Sequence, residues 1–443
     1  MADKRAAVAL APFHFEGLAV ACDVVSPDRP GSGSVRALLV ADNVPWPPIG
    51  GGLVRLAQVV EAVASVSDLD LFVLHNQNRS KVEVPSTVPV LRSKGVQNPR
   101  TSGHLRWRLE WAARRGLPAE VVMARGDRAP RVALSDWARP PYDVVWFSTA
   151  RSYEWLGRPD LGPTIVDLDN LEDVKARLRA ALLADQLRST VARSSLRSRL
   201  AWYQVRLNGS DWRRFQRSVA AQVERVVIAS DLDAARSGLP NVSVIPNTYP
   251  RPTRPVGDPA SRQPPVVLFQ GNLGYPPNID AAQWLATAIA PLIRAEVPSA
   301  EVRLVGRPGS NVTQLHRPGV VTVVGEVPSM EEELARATVA LVPVRYGSGT
   351  RVKILESFAH RIPVVSTTLG AEGLDVEDGV HLLLADDPDE LAAATVRLLG
   401  DAGLRVRLTE AAEDRYLERY DGRLADQGVR RLVENVAGAS TRS

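Results

Sequence analysis

What most constrains this chain is an alternation that runs through it twice. Short, apolar, β-branched runs alternate with stretches of helical periodicity: VRALLVAD (35–42), DLDLFVL (68–74), YDVVWFS (142–148), PTIVDLD (163–169) and RVVIAS (225–230). After a proline-rich stretch at 249–264 the series starts again, with PVVLFQG (265–271), EVRLVG (301–306), VVTVVG (320–325) and VALVP (339–343). Strand, glycine loop, helix, strand is the order of a βαβ unit. Two such series predict an α/β protein of two domains. The reading divides the chain into a flexible leader (1–34, ending SPDRPGSGS), a first domain (35–248), a linker (249–264), a second domain (265–403) and terminal helices (404–443).

Composition narrows the function classes. The 443 residues allow two or three domains, and 45% hydrophobic with 23% charged residues is ordinary for a globular protein. The single cysteine, Cys22, excludes a disulfide framework and a cysteine zinc site, and fits a reducing cytoplasm. No apolar run approaches the roughly 20 residues that span a bilayer. His14 and Glu16 interrupt the N-terminal apolar patch, which argues against a signal peptide. Neither G-x-G-x-x-G nor a P-loop occurs. Only five of the 54 basic residues are lysine, the bias of a GC-rich, bacterial genome.

The chemistry concentrates at 346–374, YGSGTRVKILESFAHRIPVVSTTLGAEGL. The loop Gly347-Ser348-Gly349-Thr350 opens a short helix, where backbone N–H groups and the helix dipole favour an anion. Arg351 and Lys353 add two full positive charges in the first turn. Glu356, three residues after Lys353, shares its helix face and can accept hydrogen bonds from a diol such as a ribose. Read physically, this is a site for a nucleoside diphosphate; the plainer alternative is a strand connection with two solvated cations. On the first-domain side, Gly50, Gly51 and Gly52 follow the first strand, as a phosphate loop or simply as a tight turn.

The pattern G-x-G-x-R-x-K-x-x-E, followed by an apolar strand and G-A-E-G-L, resembles the donor site of the GT4-type (group 1) glycosyltransferases, which have the GT-B fold of two Rossmann-like domains facing across a cleft. The stretches F-x-G-x-x-x-x-x-P-N-x-D-A (269–281), V-G and G-x-V extend the likeness over much of the second half. The resemblance implies a glycosyltransferase acting with retention. Arg351 and Lys353 would carry the catalytic charge stabilisation, and Glu356 would hold the ribose. Gly347, Ser348, Gly349, Thr350, Gly370 and Glu372 would lie near the donor sugar and phosphates, with Gly271, Asn272 and Asn278 beside them. Val327 would sit at the base pocket, and Gly50–Gly52 would face the phosphates across the cleft. The donor is expected to be a nucleotide diphosphate-sugar, a UDP-sugar first, with no cofactor and no bound metal. The terminal helices are expected to cross back over the first domain. The chain departs from the family at Ser348, where a second glutamate is usual, and this leaves the sugar open. It also keeps in play a degenerate homologue that binds nucleotide-sugar or a partner without turnover, or another GT-B activity.

The first domain would bind the acceptor, a glycan, a lipid-linked sugar or a small molecule. His75, His104, Asp167 and Asp169 are its candidate acceptor-side residues; the alternatives are an ordinary surface role for the two histidines and structural use at a strand end for the two aspartates. Asp167-Leu168-Asp169 spells D-x-D but lies away from the donor half, so it is not read as a metal site. The Arg/Trp stretch 101–131 and the Arg-rich helices 177–217 suit an anionic membrane surface, an acidic acceptor or a phosphorylated carrier. Solvated helix faces are the alternative. No nucleic-acid module is visible. The expected location is the cytoplasm, with peripheral contact at the inner membrane face.

Overall fold

The computed structural model describes residues 35–48, 50–75, 82–100, 111, 113, 116–124, 126–189, 196–261, 265–347 and 351–440. The leader predicted at 1–34 lies outside the described residues.

The first half is built on a parallel seven-stranded sheet. Its strands are β1 (Val35–Ala41), β2 (Ser67–His75), β3 (Val90–Gln97), β4 (Val144–Phe147), β5 (Thr164–Asp169), β6 (Arg225–Ile228) and β7 (Val242–Val244). They lie in the order β3-β2-β1-β4-β5-β6-β7. The second half is a parallel six-stranded sheet of β8 (Val266–Gln270), β9 (Glu301–Val305), β10 (Val321–Gly325), β11 (Val339–Val342), β12 (Val364–Ser366) and β13 (Leu383–Leu384). Its order is β10-β9-β8-β11-β12-β13. The central strands β1, β4, β8 and β11 are almost wholly buried, as parallel strands covered on both faces must be.

Each sheet reverses its order once, between β1 and β4 and between β8 and β11. Loops leaving the carboxyl ends of strands at such a reversal splay apart and leave a crevice. The loop after β1 carries Gly50, the loop after β8 carries Gly271 and Asn272, and the loop after β11 leads through Gly347 to Arg351. Topology alone brings these glycine loops to the two crevices.

Helix α1 (Gly51–Val66) follows β1 and buries Val54, Leu56, Val59, Val60 and Val63. The other first-half helices are α2 (Ala119–Ala124), α3 (Ala129–Trp137), α4 (Ala150–Trp155), α5 (Glu172–Ser189), α6 (Leu196–Ala220) and α7 (Asp231–Ser237). The second half adds α8 (Pro276–Trp284), α9 (Ala290–Glu296), α10 (Ser310–Thr313), α11 (Met330–Arg336), α12 (Val352–Ala359) and α13 (Pro388–Gly400). The last two helices part company. Helix α14 (Ala402–Arg419) keeps Leu404, Leu408, Ala412 and Tyr416 in the second core. Helix α15 (Gly422–Ser440) places Ala425, Val429, Leu432, Val433 and Val436 in the first core, beside α1. At the crossing, Tyr249 N donates to Tyr420 O (3.1 Å) and Gly422 N donates to Tyr249 O (3.0 Å). The chain therefore passes between its halves twice, side by side.

The edge strand β3 and the short helices α3 and α4 carry no continuous apolar run, so strand reading by hydrophobicity passes over them. β3 keeps Arg92 and Lys94 on its half-exposed surface; Arg92 pairs with Asp70 and lies 4.7 Å from the Trp137 ring.

Candidate active site

Arg351 caps the N-terminus of α12 and is buried, 9% exposed. Its guanidinium lies flat on Gly347, whose φ is +142°; a Cβ there would stand 2.8 Å from a guanidinium nitrogen. Only glycine fits that position. Burial holds the Arg351 pKa below its ordinary value, against the opposing pull of Tyr275, Glu372 and Asp233. Ser348, Gly349 and Thr350 lie outside the described residues.

Lys353 reaches back to the β8 loop. Its Nζ donates to Asn278 Oδ1 (2.7 Å) and sits 4.2 Å from the centre of the Phe269 ring. Asn278, at the start of α8, in turn donates from Nδ2 to Asn272 O (2.8 Å), so the predicted residues Asn272, Asn278 and Lys353 form one chain of contacts. Gly271, with φ +138°, lies against both side chains; a Cβ there would meet Asn278 Nδ2 at 3.3 Å and Lys353 Nζ at 3.5 Å. Burial, reinforced by the neighbouring Arg351 charge and only partly offset by Glu356, pulls the Lys353 pKa down to about 7. Burial thus dominates the electrostatics of both cations.

Glu356 is oriented from both sides. Tyr249 Oη donates to its Oε1 (2.9 Å) and Gln270 Nε2 donates to its Oε2 (3.2 Å). Burial pushes this carboxyl above its ordinary value, while Tyr249, Gln270 and Lys353 pull it back. Neither partner was singled out from the sequence. Gln270 had a signal: it is the polar end of an otherwise apolar strand, just before Gly271. Tyr249 had none, because it comes from the linker and is fixed by the terminal crossing, where Tyr416 Oη donates to its carbonyl (2.9 Å).

The first half closes on this site through backbone. Gly50, with φ +86°, precedes the first turn of α1, and Gly51 packs on Val352, next to Arg351. A Cβ at Gly51 would stand 2.9 Å from Val352 Cβ. The N-termini of α1 and α12 therefore meet, and with them two sets of N–H groups that no helical carbonyl satisfies. Gly52 follows in the same turn. Lys175 of α5 pairs with Glu172 and lies 5.6 Å from the ring centre of Tyr275 in the second half. Glu372 pairs with Arg236 of α7 (2.6 Å), and Gly373 beside it, with φ +84°, lies against Ser230, the cap of α7. Gly370 is packed so tightly that a Cβ would meet Ser366 Oγ at 2.4 Å. Val327 is part-buried against the second core, two residues after Gly325 with φ +86°.

The first-half side chains are placed differently. Asp167 is buried, and Arg55 grips both its oxygens (Nε 3.0 Å, Nη2 3.1 Å). The same guanidinium donates to Ile245 O and Asn247 Oδ1, both at 3.0 Å. Asp169, with φ +41°, accepts from Asn247 and Asn170 and keeps its side chain 25% exposed. His75 is buried at the end of β2, away from the α1–α12 contact. His104 lies outside the described residues.

Comparison with known proteins bears on the fold and the family. Residues 264–401, which hold the whole second-half site, match the family described as Glycosyl transferases group 1. Sucrose-phosphate synthase of Thermosynechococcus elongatus superposes with a TM-score of 0.63 at 17% identity, covering 91% of this chain and 100% of that one. The chain resembles the group 1 glycosyltransferases and has the GT-B fold. Anabaena HepE, solved in complex with UDP and glucose, has the same fold, with a TM-score of 0.57 at 14% identity over 90% of this chain and 99% of its own. Phosphatidyl-myo-inositol mannosyltransferase of Mycolicibacterium smegmatis is 28% identical over 192 residues, 42% of this chain and 49% of that protein. The chain spans 34% to 49% of the length of the curated relatives it matches.

Proposed function

We propose that the protein is a glycosyltransferase that moves a sugar from a nucleoside diphosphate-sugar to an acceptor hydroxyl, with retention at the anomeric carbon. The observation that carries this reading is the juxtaposition of Arg351 and Lys353, both held below their ordinary pKa, with the meeting N-termini of α1 and α12. Two cations beside two helix N-termini favour an anion, and a diphosphate would supply one. As the bond from the anomeric carbon to the diphosphate oxygen breaks, negative charge grows on the leaving group, where the two cations and the N–H groups stabilise it. The acceptor oxygen bonds to the same face of that carbon, and the departing diphosphate takes its proton. Glu356, set by Tyr249 and Gln270, would hold the ribose hydroxyls. No cofactor enters this scheme.

A UDP-sugar is the first choice of donor, a reading supported by the UDP-bound neighbour of the same fold. The acceptor would bind on the first half, and the reaction would take place in the cytoplasm. Calorimetric titration with UDP, GDP, ADP and dTDP tests the proposal. One nucleotide should bind, and Lys353→Ala should weaken it at least tenfold; no binding of any of the four to the folded protein would overturn the reading.

A further inference from the structure

A groove lies between α5 and α6, and the contacts described above use none of its lining residues. The two helices enclose a groove of about 570 Å³. Arg177, Arg206, Arg213, Arg214 and Arg217 line it, and among the described residues no carboxylate does. Asp173, at its end, serves both Arg177 (3.4 Å) and Arg213 (3.2 Å). Among the described residues, Arg206, Arg214 and Arg217 form no ion pair. The floor is apolar and small: Ala180, Ala181, Val205 and Gly209, with Trp202 as a wall on which Arg206 stacks at 4.9 Å. Gly209 is needed there, since a Cβ would stand 3.0 Å from Ala176 Cβ and force the helices apart.

We propose that this groove docks the phosphate headgroup of an anionic membrane lipid. Guanidinium groups around a small concavity match phosphate oxygens. The apolar floor offers little to the hydroxyls of a soluble sugar phosphate but suits the glycerol and acyl carbons behind a headgroup. The same helix presents two large apolar side chains to solvent just beyond Arg206, Leu200 at 51% and Tyr203 at 54% exposure. Basic residues flanking exposed leucine and tyrosine on one helix are the arrangement that lies in a bilayer interface. Among the described residues no helix is long and apolar enough to cross a membrane, so attachment here is to the surface.

The test is flotation of the full chain with vesicles of phosphatidylcholine alone and with phosphatidylglycerol added. The wild type should float only with the anionic vesicles, and less as salt rises. Each arginine at an anionic surface is worth about fivefold in partitioning, so R214Q/R217Q should bind on the order of twentyfold more weakly. L200S/Y203S should also weaken flotation while leaving its salt dependence. Both variants should keep wild-type UDP binding, which separates this site from the nucleotide site and shows that they fold. Failure of the wild type to float at low salt, or equal flotation of R214Q/R217Q, would overturn the proposal. So would saturable binding of soluble glycerol phosphate without vesicle binding, which would give the groove to a soluble ligand.

Discussion

Two clusters of charged side chains stand at the carboxyl ends of the two sheets, and they are built in opposite ways. In the first half, burial alone would lower the Arg55 pKa, but Asp167 and Asp169 more than reverse it, and the guanidinium stands above its ordinary value. Four hydrogen bonds leave that guanidinium, to both oxygens of Asp167, to Ile245 O and to Asn247. In the second half, Arg351 and Lys353 both fall below their ordinary values, because burial outweighs the carboxylates nearby. Burial pushes the Asp167 carboxyl above its ordinary value while Arg55 pulls it back, and the pair ties α1 to β5. In the second cluster, burial keeps both cations below their ordinary values. Balance marks structure, and imbalance marks a site.

The comparison breaks most sharply at Arg55. Arg55→Ala would leave Asp167 buried without its counter-ion, and is expected to cost about 3–5 kcal/mol of stability in urea unfolding. A loss under about 1 kcal/mol would mean that the first cluster is not what holds α1 in place. Lys353→Ala should act the other way. Turnover should fall about a hundredfold or more, corresponding to roughly 3 kcal/mol of lost charge stabilisation, while the unfolding midpoint stays or rises. A variant that lost stability in step with activity would erase the distinction between the clusters. Tyr249→Phe is the finer test, since this residue acts through Glu356. Losing one hydrogen bond to a carboxylate should weaken UDP binding about tenfold, or roughly 1.5 kcal/mol. A nucleotide lacking the ribose diol should bind the variant and the wild type equally. An equal loss for both nucleotides would assign Tyr249 a purely structural role.

How much of this could be read in the sequence follows from distance along the chain. Arg351, Lys353 and Glu356 fall on one helix turn and a half, so their spacing alone placed them together. The crevice loops were legible because glycine marks them, and the βαβ order predicts which end of each sheet they occupy. Asp167 and Asp169 were read as acceptor candidates from their position at a strand end. What occupies Asp167 is an arginine 112 residues earlier, which no local pattern announces. Tyr249 is likewise separated from Glu356 by 107 residues, and Arg236 from Glu372 by 136. Gly51 looked like a turn residue; its packing on Val352 depends on how the two halves meet. Local spacing shows the charges, and only the fold shows which of them are already satisfied.

The smallest effect discriminates best between a satisfied and an unsatisfied cluster, because it needs no substitution. Burial pulls the Lys353 pKa down to about 7, against 10.5 for an ordinary lysine. Below about pH 6 it is charged with or without ligand. Between 7 and 10.5 the empty folded protein holds it increasingly neutral while the unfolded chain keeps it charged. The unfolded state then binds more protons, so the empty protein gains stability from this group as pH rises through that window. A diphosphate favours the ammonium form, so binding above pH 7 must draw a proton from solution. Calorimetry of UDP at about pH 8.5, where its terminal phosphate is fully ionised, should show in two buffers of different ionisation enthalpy an uptake approaching one proton per nucleotide, whereas at about pH 6 the partly protonated phosphate should release protons instead. Lys353→Ala should abolish the uptake at about pH 8.5, whereas changes around Arg55 should not touch it. No uptake at about pH 8.5 would mean that Lys353 is already charged before the ligand arrives, and the contrast between the two clusters would lose its basis.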